Sequence, residues 1–353
     1  MGARENYSSR LNSAVLGLSF DDVLLIPQYS NVRLCDVDTS TWIINNLKLE
    51  IPIISSPMDT VTGFEMALAL ARLGGLGILP RNMSLEETLK TIRAAHEEKL
   101  PTGIAVGPFD DEKVARAAEE GVDIVVIDTA HGHSYNVIEA TKRFKRDYDV
   151  DLMVGNIATP EAAEALIEAG ADSLRVGIGP GHACTTREVA GVGVPQLTAI
   201  AWVADVASNY GVSVVADGGI EKPADIVKAL AVGADAVMLG YLLAGTNEAP
   251  GEVLQISGRL YKKYRGMGSR SALASGSARY GEFKKVPEGV EGYVEHRGSL
   301  SKVIDYLVGG LKQGMGYLGA RSIKELRVKA RFVKITSAGA RESHPRGFCK
   351  VEE

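Results

Sequence analysis

One phrase recurs along this chain and restricts its fold more than any other feature: a helical stretch, a glycine, a valine or alanine, an aspartate, then an apolar run. It reads Gly121-Val122-Asp123 before Ile124-Val125-Val126-Ile127, and Gly170-Ala171-Asp172 before Ser173-Leu174-Arg175-Val176. It returns as Gly233-Ala234-Asp235 before Ala236-Val237-Met238-Leu239. The glycine suits a helix C-terminus, where a left-handed residue ends the last turn. The runs that follow do not alternate with polar residues, as expected of parallel strands buried on both faces.

Strands are predicted at 51–55, 75–79, 102–106, 123–128, 151–155, 172–177, 212–217 and 235–240, with helical segments between them. One helix opens at Ser84 with Glu87 three residues on, the pattern of a capping box. Eight β/α units predict an α/β fold of the closed (β/α)8 TIM barrel type over an open doubly wound sheet. In a barrel the chemistry gathers where strands end. Those ends carry Ser55-Ser56-Pro57-Met58-Asp59-Thr60, Asp128-Thr129-Ala130-His131-Gly132, Gly155-Asn156, Asp217-Gly218-Gly219 and Gly240. Glycines after the seventh and eighth strands lie where barrels bind phosphate. The last helix is delayed by a segment, about 258–301, rich in Gly, Ser, Arg, Lys and Tyr; a loop of that length predicts a mobile flap. The 353 residues are read as one catalytic domain, 1–353, with that flap inserted after strand eight.

Composition narrows the partners. A net charge of -5 gives no reason to expect nucleic acid or an anionic membrane. No apolar run approaches a membrane span, and the polar start Met1-Gly2-Ala3-Arg4-Glu5-Asn6 is no signal peptide. Cys35, Cys184 and Cys349 are odd in number and far apart, against both a disulfide framework and a Cys-x-x-Cys knuckle. A cytoplasmic protein with a free thiol is expected. Of the three, Cys184 stands out: Gly177-Ile178-Gly179-Pro180-Gly181-His182-Ala183-Cys184-Thr185-Thr186 presents it on a glycine-rich loop at a strand end. Such a loop can bring main-chain groups against a ligand or ion, and a thiol there is placed for nucleophilic chemistry.

Several ordered motifs resemble the inosine-5'-monophosphate dehydrogenase and guanosine-5'-monophosphate reductase family. They are Leu18-Ser19-Phe20-Asp21-Asp22-Val23-Leu24-Leu25-Ile26-Pro27, Ser55 to Thr60, the Cys184 loop, Gly191-Val192-Gly193-Val194-Pro195-Gln196, Ala216-Asp217-Gly218-Gly219 and Tyr264 to Ser269. The family fold is a (β/α)8 barrel. Arg279-Tyr280 and Glu288 match the flap of the dehydrogenases, and Asp128 to Ser134 and Glu342-Ser343-His344-Pro345 resemble prokaryotic dehydrogenases, so that branch is favoured over an NADPH-dependent reductase.

The resemblance implies attack of the Cys184 thiolate on C2 of inosine monophosphate, hydride transfer to NAD+, and hydrolysis of the resulting thioimidate to xanthosine monophosphate, in guanine nucleotide synthesis. Splitting one hard oxidation in two needs a group that adds to carbon and later leaves. The implied base is Arg279, supported by Tyr280, with Thr186 and Glu288 as another proton route. Asp217 is expected on the ribose hydroxyls, main-chain N–H groups near Gly219 and Gly240 at the phosphate, and Met58, Met267 and Gly268 on the base, with Gly218 also in the substrate set. Ser56, Asn156, Arg175, Tyr264 and Glu288 complete the substrate set. Asp128, Thr129 and Ala130 are expected at the cofactor. Gly179, Gly181 and Cys184 resemble half of a K+ site, with Glu342, Ser343 and His344 of a neighbouring subunit as the rest, which implies a homotetramer.

Two departures from the family pattern fall together. His182 and Tyr241 stand where the family usually has serine, or serine or glycine, around the 5'-phosphate. Either the same nucleotide is bound by larger donors, or the purine ligand has changed. Pro80-Arg81 also replaces the usual pair before Asn82. Most relatives carry cystathionine-β-synthase-type modules after the second strand; only about twenty residues join Asn82 to Gly103 here, room for one helix and a turn. A non-catalytic nucleotide-binding or scaffold protein is the reading from a different class.

Overall fold

The chain forms a closed barrel of eight parallel strands in this computed structural model, which describes residues 7–274 and 286–345. The strands are β1 (Ile53–Ser55), β2 (Leu76–Leu79), β3 (Thr102–Val106), β4 (Ile124–Asp128), β5 (Leu152–Ile157), β6 (Ser173–Val176), β7 (Ser213–Asp217) and β8 (Ala236–Leu239). The outer helices are α1 (Phe64–Arg72), α2 (Leu85–Glu97), α3 (Asp111–Glu119), α4 (Tyr135–Asp147), α5 (Pro160–Glu168), α6 (Gln196–Tyr210), α7 (Pro223–Ala231) and α8 (Leu300–Tyr317). Closure is made where Val237, Met238 and Leu239 of β8 pair with Ile53, Ile54 and Ser55 of β1.

The unbroken apolar runs are explained by the two sides of the barrel wall. In β4, Ile124 and Val126 belong to the barrel interior, while Val125 and Ile127 belong to the layer under the helices. Successive side chains of a strand face opposite ways, so a strand with a core on each side lacks the alternating polar face of a half-solvated strand, and only the last residue of β4, Asp128, is polar. All five β4 residues are buried.

The recurring glycine–aspartate phrase closes each strand entry. Gly121, Gly170 and Gly233 have φ of 77°, 102° and 124°, a region open to glycine without strain. The aspartate two residues later then makes two bonds to the first residues of the preceding strand. Asp172 donates its N–H to the Leu152 carbonyl at 2.9 Å and accepts the Leu152 N–H at 2.7 Å. Asp123 does the same with Thr102, and Asp235 with Val214. Lys145 stands 2.9 Å from Asp172 and Arg327 2.7 Å from Asp235, so both carboxylates are also charge-paired.

Elements outside the repeat plug and tie the barrel. A hairpin, Thr41–Ile44 with Leu47–Leu49, sends Ile43, Ile44, Leu47 and Leu49 into the interior core beside Leu76 and Ile124, near the strand starts. Val23–Leu25 pairs antiparallel with Phe332–Lys334 and joins the two ends of the chain. The segment after β8, expected as a long flap, holds a three-stranded antiparallel sheet: Leu254–Ile256, Arg259–Arg265 and Glu291–Glu295. Its central strand turns Lys262 and Tyr264 inward. Lys262 is buried and donates to the Thr246 and Ala249 carbonyls, which pins the sheet to the loop after β8. A lysine at an inward position hides the two-residue period of that strand. The stretch 275–285, which carries the expected Arg279 and Tyr280, lies outside the described residues.

Replacing Asp172 by alanine strands the N–H of fully buried Leu152, and is expected to cost about 1–3 kcal/mol. Asp172→Asn keeps an acceptor and should lose less than half as much. Urea unfolding of the two variants measures the difference; equal losses would assign the effect to the ion pair with Lys145 instead.

Candidate active site

The carboxyl ends of the strands converge on one cavity of about 110 Å³. Every described residue expected at the substrate lines it: Ser56 and Met58 after β1, Asn156 and Arg175 in β5 and β6, Asp217 at the end of β7 with Gly218 and Gly219 after it, Gly240 and Tyr241 after β8. His182 of the Cys184 loop, Tyr264, Met267, Gly268 and Glu288 complete the wall. Cys184, Thr186, Gly179 and Gly181 line it too, as does Ala130, whereas Asp128 and Thr129 lie behind it. Ile178, Pro180, Ile220, Met238 and Gly266 also face the cavity and were not singled out in the sequence.

At its base lies a buried charge network. Arg175, 1 % exposed, bonds Asp128 through Nη1 and Asp217 through Nε and Nη2 at 3.0 and 2.9 Å. The Asn156 amide donates to the same Asp217 oxygen at 2.7 Å and to the Gly177 carbonyl at 2.8 Å. One guanidinium thus ties the ends of β4, β6 and β7, and Asn156 adds β5. Asp128, expected at a cofactor ribose, is itself buried and spends an oxygen on Arg175. Asp217, with 16 % of its side chain exposed, keeps access to the cavity.

The Cys184 loop is held by two segments of the insertion. The Ala183 carbonyl accepts the Val290 N–H at 3.0 Å, and Val290 in turn accepts from Gly266 at 2.9 Å. A Cβ at Gly266 would stand 2.5 Å from the Ala183 carbonyl oxygen, so only glycine permits that approach. The Cys184 thiol donates to Thr186 Oγ1 at 3.2 Å, and that hydroxyl donates to Glu288 Oε2 at 2.9 Å. Thiol, hydroxyl and carboxylate form a line along which a proton can pass. Tyr264 sits beneath it, 9 % exposed, with burial holding its phenol well above the usual tyrosine range. Its neighbour Arg265 forks onto the Asp59 carboxylate, which also accepts from Asn82 at 2.7 Å. That pairing fixes the strand carrying Tyr264 to the loops after β1 and β2. Its residues were quoted in the sequence, but nothing there marked them as partners.

At the opposite side the Cys184 loop meets the loops after β7 and β8. His182 and Tyr241 stack with centroids 4.2 Å apart and planes 9° apart. Around the loop itself, the carbonyls of Gly179 and Cys184 have no hydrogen-bond partner among the described residues, while that of Gly181 accepts from the Cys184 N–H at 3.0 Å. The expected second half of the cation site, Glu342, Ser343 and His344, is exposed at the end of helix Ser337–Glu342. No group of three or more His, Cys, Asp or Glu poised for a metal occurs among the described residues.

The closed parallel barrel, with a cysteine on a glycine-rich loop after its sixth strand facing a hydroxyl and a carboxylate, is an α/β protein of the (β/α)8 barrel class. The chain belongs to the IMP dehydrogenase / GMP reductase domain family, which it matches over residues 17–346. Similar proteins include the inosine-5'-monophosphate dehydrogenase of Cryptosporidium parvum, 46 % identical over 377 residues, covering 93 % of this chain and 94 % of that protein. The enzymes of the same name from Borreliella burgdorferi and Aquifex aeolicus are 44 % and 41 % identical, each over 93 % of this chain and over 96 % and 95 % of their own lengths. The Aquifex alignment runs over 464 residues while using 93 % of a 353-residue chain, so it opens long gaps in this sequence.

Arg175→Met removes the guanidinium that bonds both Asp128 and Asp217 at a buried site. A loss of about 3–5 kcal/mol is expected, because uncompensated buried charge costs more than the pair contributes. Chemical denaturation checks this; a loss under about 1 kcal/mol would mean that Asp128 and Asp217 do not depend on Arg175.

Proposed function

We propose that this protein oxidises inosine 5'-monophosphate to xanthosine 5'-monophosphate through a covalent intermediate on Cys184. The observation that carries the reading is the line from the Cys184 thiol through Thr186 to Glu288, opening onto a cavity walled by Asp217 and the glycines after β7 and β8. The names of the relatives that span nearly the whole chain support it.

In this reading the thiol passes its proton along Thr186 toward Glu288 and its sulfur bonds to C2 of the base. NAD+, when bound, accepts the hydride that leaves C2. Water then adds to the same carbon and the carbon–sulfur bond breaks, returning the thiol. The net change is nucleotide, NAD+ and water to xanthosine monophosphate, NADH and a proton. Once Glu288 has released the first proton to solvent, it and Thr186 can take the proton of the attacking water and return it to the departing sulfur, with Arg279 and Tyr280 as the further candidates for that base. Asp217 orients the ribose through its hydroxyls, its charge held by Arg175 and Asn156. Met58 and the 266–268 turn pack against the base. Ala130, on the cavity wall beside buried Asp128 and Thr129, marks the side on which the nicotinamide would lie.

The carbonyls of Gly179 and Cys184, unpaired among the described residues, suit a monovalent cation such as K+, which hard oxygen dipoles hold well. Glu342, Ser343 and His344 would come from a neighbouring subunit, and a head-to-tail ring of four closes that contact. The working unit is then a homotetramer of single barrel domains in the cytoplasm. No described helix is long and apolar enough to cross a membrane.

The test is a paired assay. Inosine monophosphate with NAD+ should give NADH absorbance; NADPH consumption with guanosine monophosphate in its place would move the assignment to the reductase reaction. Cys184→Ala should lower turnover by at least about a thousand-fold, and residual activity within tenfold of wild type would refute the nucleophile. Activity should also fall when K+ is replaced by a larger organic cation, and after deletion from Arg341 onward. An active monomer in sedimentation, or full activity without those last residues, would remove the shared-site assembly.

A further inference from the structure

Where the cavity ends against the loops after β7 and β8, the side chains form a layered stack. His182 lies flat on Tyr241. The Arg297 guanidinium lies 4.9 Å from the centre of the Tyr241 ring, and Tyr264 meets that ring edge-on at 6.3 Å. His182 Nε2 stands 3.1 Å from Glu221 Oε1, a carboxylate with 63 % of its side chain exposed. His182 and Tyr241 are shared between the main cavity and a second one of about 410 Å³, reached past Glu221 and the Glu291–Glu295 strand. The pair is therefore a wall, open to ligand on its inner side.

Anion recognition is built into the same corner. Gly218 and Gly219 have φ of 95° and 76°, and the main-chain N–H groups of Gly218, Gly219 and Gly240 have no partner among the described residues. Consecutive unpaired N–H groups in such a turn make an anion-binding concavity, and the ends of strands seven and eight are where barrels hold phosphate. One contact in this corner is out of keeping with that. An exposed carboxylate, Glu221, occupies the imidazole N–H beside these main-chain donors.

We propose that His182 and Tyr241 determine specificity for the 5' end of the ligand, and that Glu221 is a stand-in anion which a phosphate displaces from the His182 N–H. The inference rests on the reading that the ligand is a purine nucleotide, and adds how its phosphate is recognised. The exchange of one anionic acceptor for another keeps the proton on Nε2 and leaves the ring stack whole. Glu221 is solvated enough to leave at little cost, and its departure removes a like charge from the phosphate. Tyr241, braced by Arg297 and Tyr264, keeps the imidazole from folding away once Glu221 has gone.

The two partners are then expected to act in opposite directions, which a merely structural role would not produce. Calorimetry with inosine monophosphate and with inosine reads the phosphate's share without depending on turnover. Wild type should bind the nucleotide at least about a hundred-fold more tightly than the nucleoside. His182→Ala should weaken nucleotide binding about ten-fold or more, the worth of one charge-assisted hydrogen bond. Glu221→Ala should tighten it several-fold, and neither change should move inosine by more than about two-fold. Equal or tighter binding of inosine by wild type would overturn the inference by showing that the rings fill the phosphate's place. Parallel shifts for both ligands in both variants would overturn it as well. Nucleotide binding without NADH formation would instead count against the proposed reaction and leave the ring pair's role standing, while binding of neither compound would overturn both.

Discussion

The buried Arg175 guanidinium is the interaction on which the upper half of the barrel depends. It stands near the end of β6 between carboxylates from β4 and β7, and its loss would remove the guanidinium that bonds both Asp128 and Asp217. A buried ion pair is weak evidence for stability, because desolvation offsets most of its attraction. What the triad provides is position. Asp217 is held by Arg175 from one side and Asn156 from another, so its remaining exposed edge points at the cavity with little freedom. A carboxylate so fixed loses little entropy when it accepts a sugar hydroxyl, the general advantage of a preorganised site.

The same division between a rigid base and a fitted cover runs through the whole site. The barrel ends supply Arg175, Asp217 and the loop glycines. The Cys184 loop is supported from outside the barrel, where Val290 bonds the Ala183 carbonyl next to Cys184 and Gly266 leaves room for it. Glu288 reaches Thr186 because its own N–H is anchored to the Gly268 carbonyl at 3.0 Å. Acid relay and loop support therefore come from one insertion, and a movement that withdrew one would withdraw the other. Coupling of this kind lets a site assemble around its ligand rather than stand complete without it.

How much of this could be read from the sequence follows from how local each signal is. The strands were legible because both faces are apolar, and the helix ends because glycine alone takes the required φ. The cysteine loop and the strand-end motifs were legible as members of an ordered set, and the structure gathers them at one cavity. The aspartates of the recurring phrase were visible, but their bonds to the preceding strand need the barrel's register and are not written in any local pattern. The hairpin that plugs the interior was missed because Thr41–Ile44 and Leu47–Leu49 are too short to carry a period. The sheet in the insertion was missed because its inward positions include Lys262, whose charge is satisfied only by distant carbonyls.

The ring stack shows the limit most clearly. His182 and Tyr241 are 59 positions apart, and each alone reads as a bulky residue where a small one is usual. Only the fold brings them face to face, and only the fold sets Glu221 against one and Arg297 against the other. Two departures that compensate each other in space keep the wall closed, whereas either alone would leave a gap or a clash in a packed corner. A paired change of that kind preserves the donors that an anion needs and adds a removable carboxylate. Under the proposed reading such a change acts on how tightly the 5' end of a ligand is discriminated and leaves the bonds linking Cys184, Thr186 and Glu288 unaltered, because neither His182 nor Tyr241 supplies one of them.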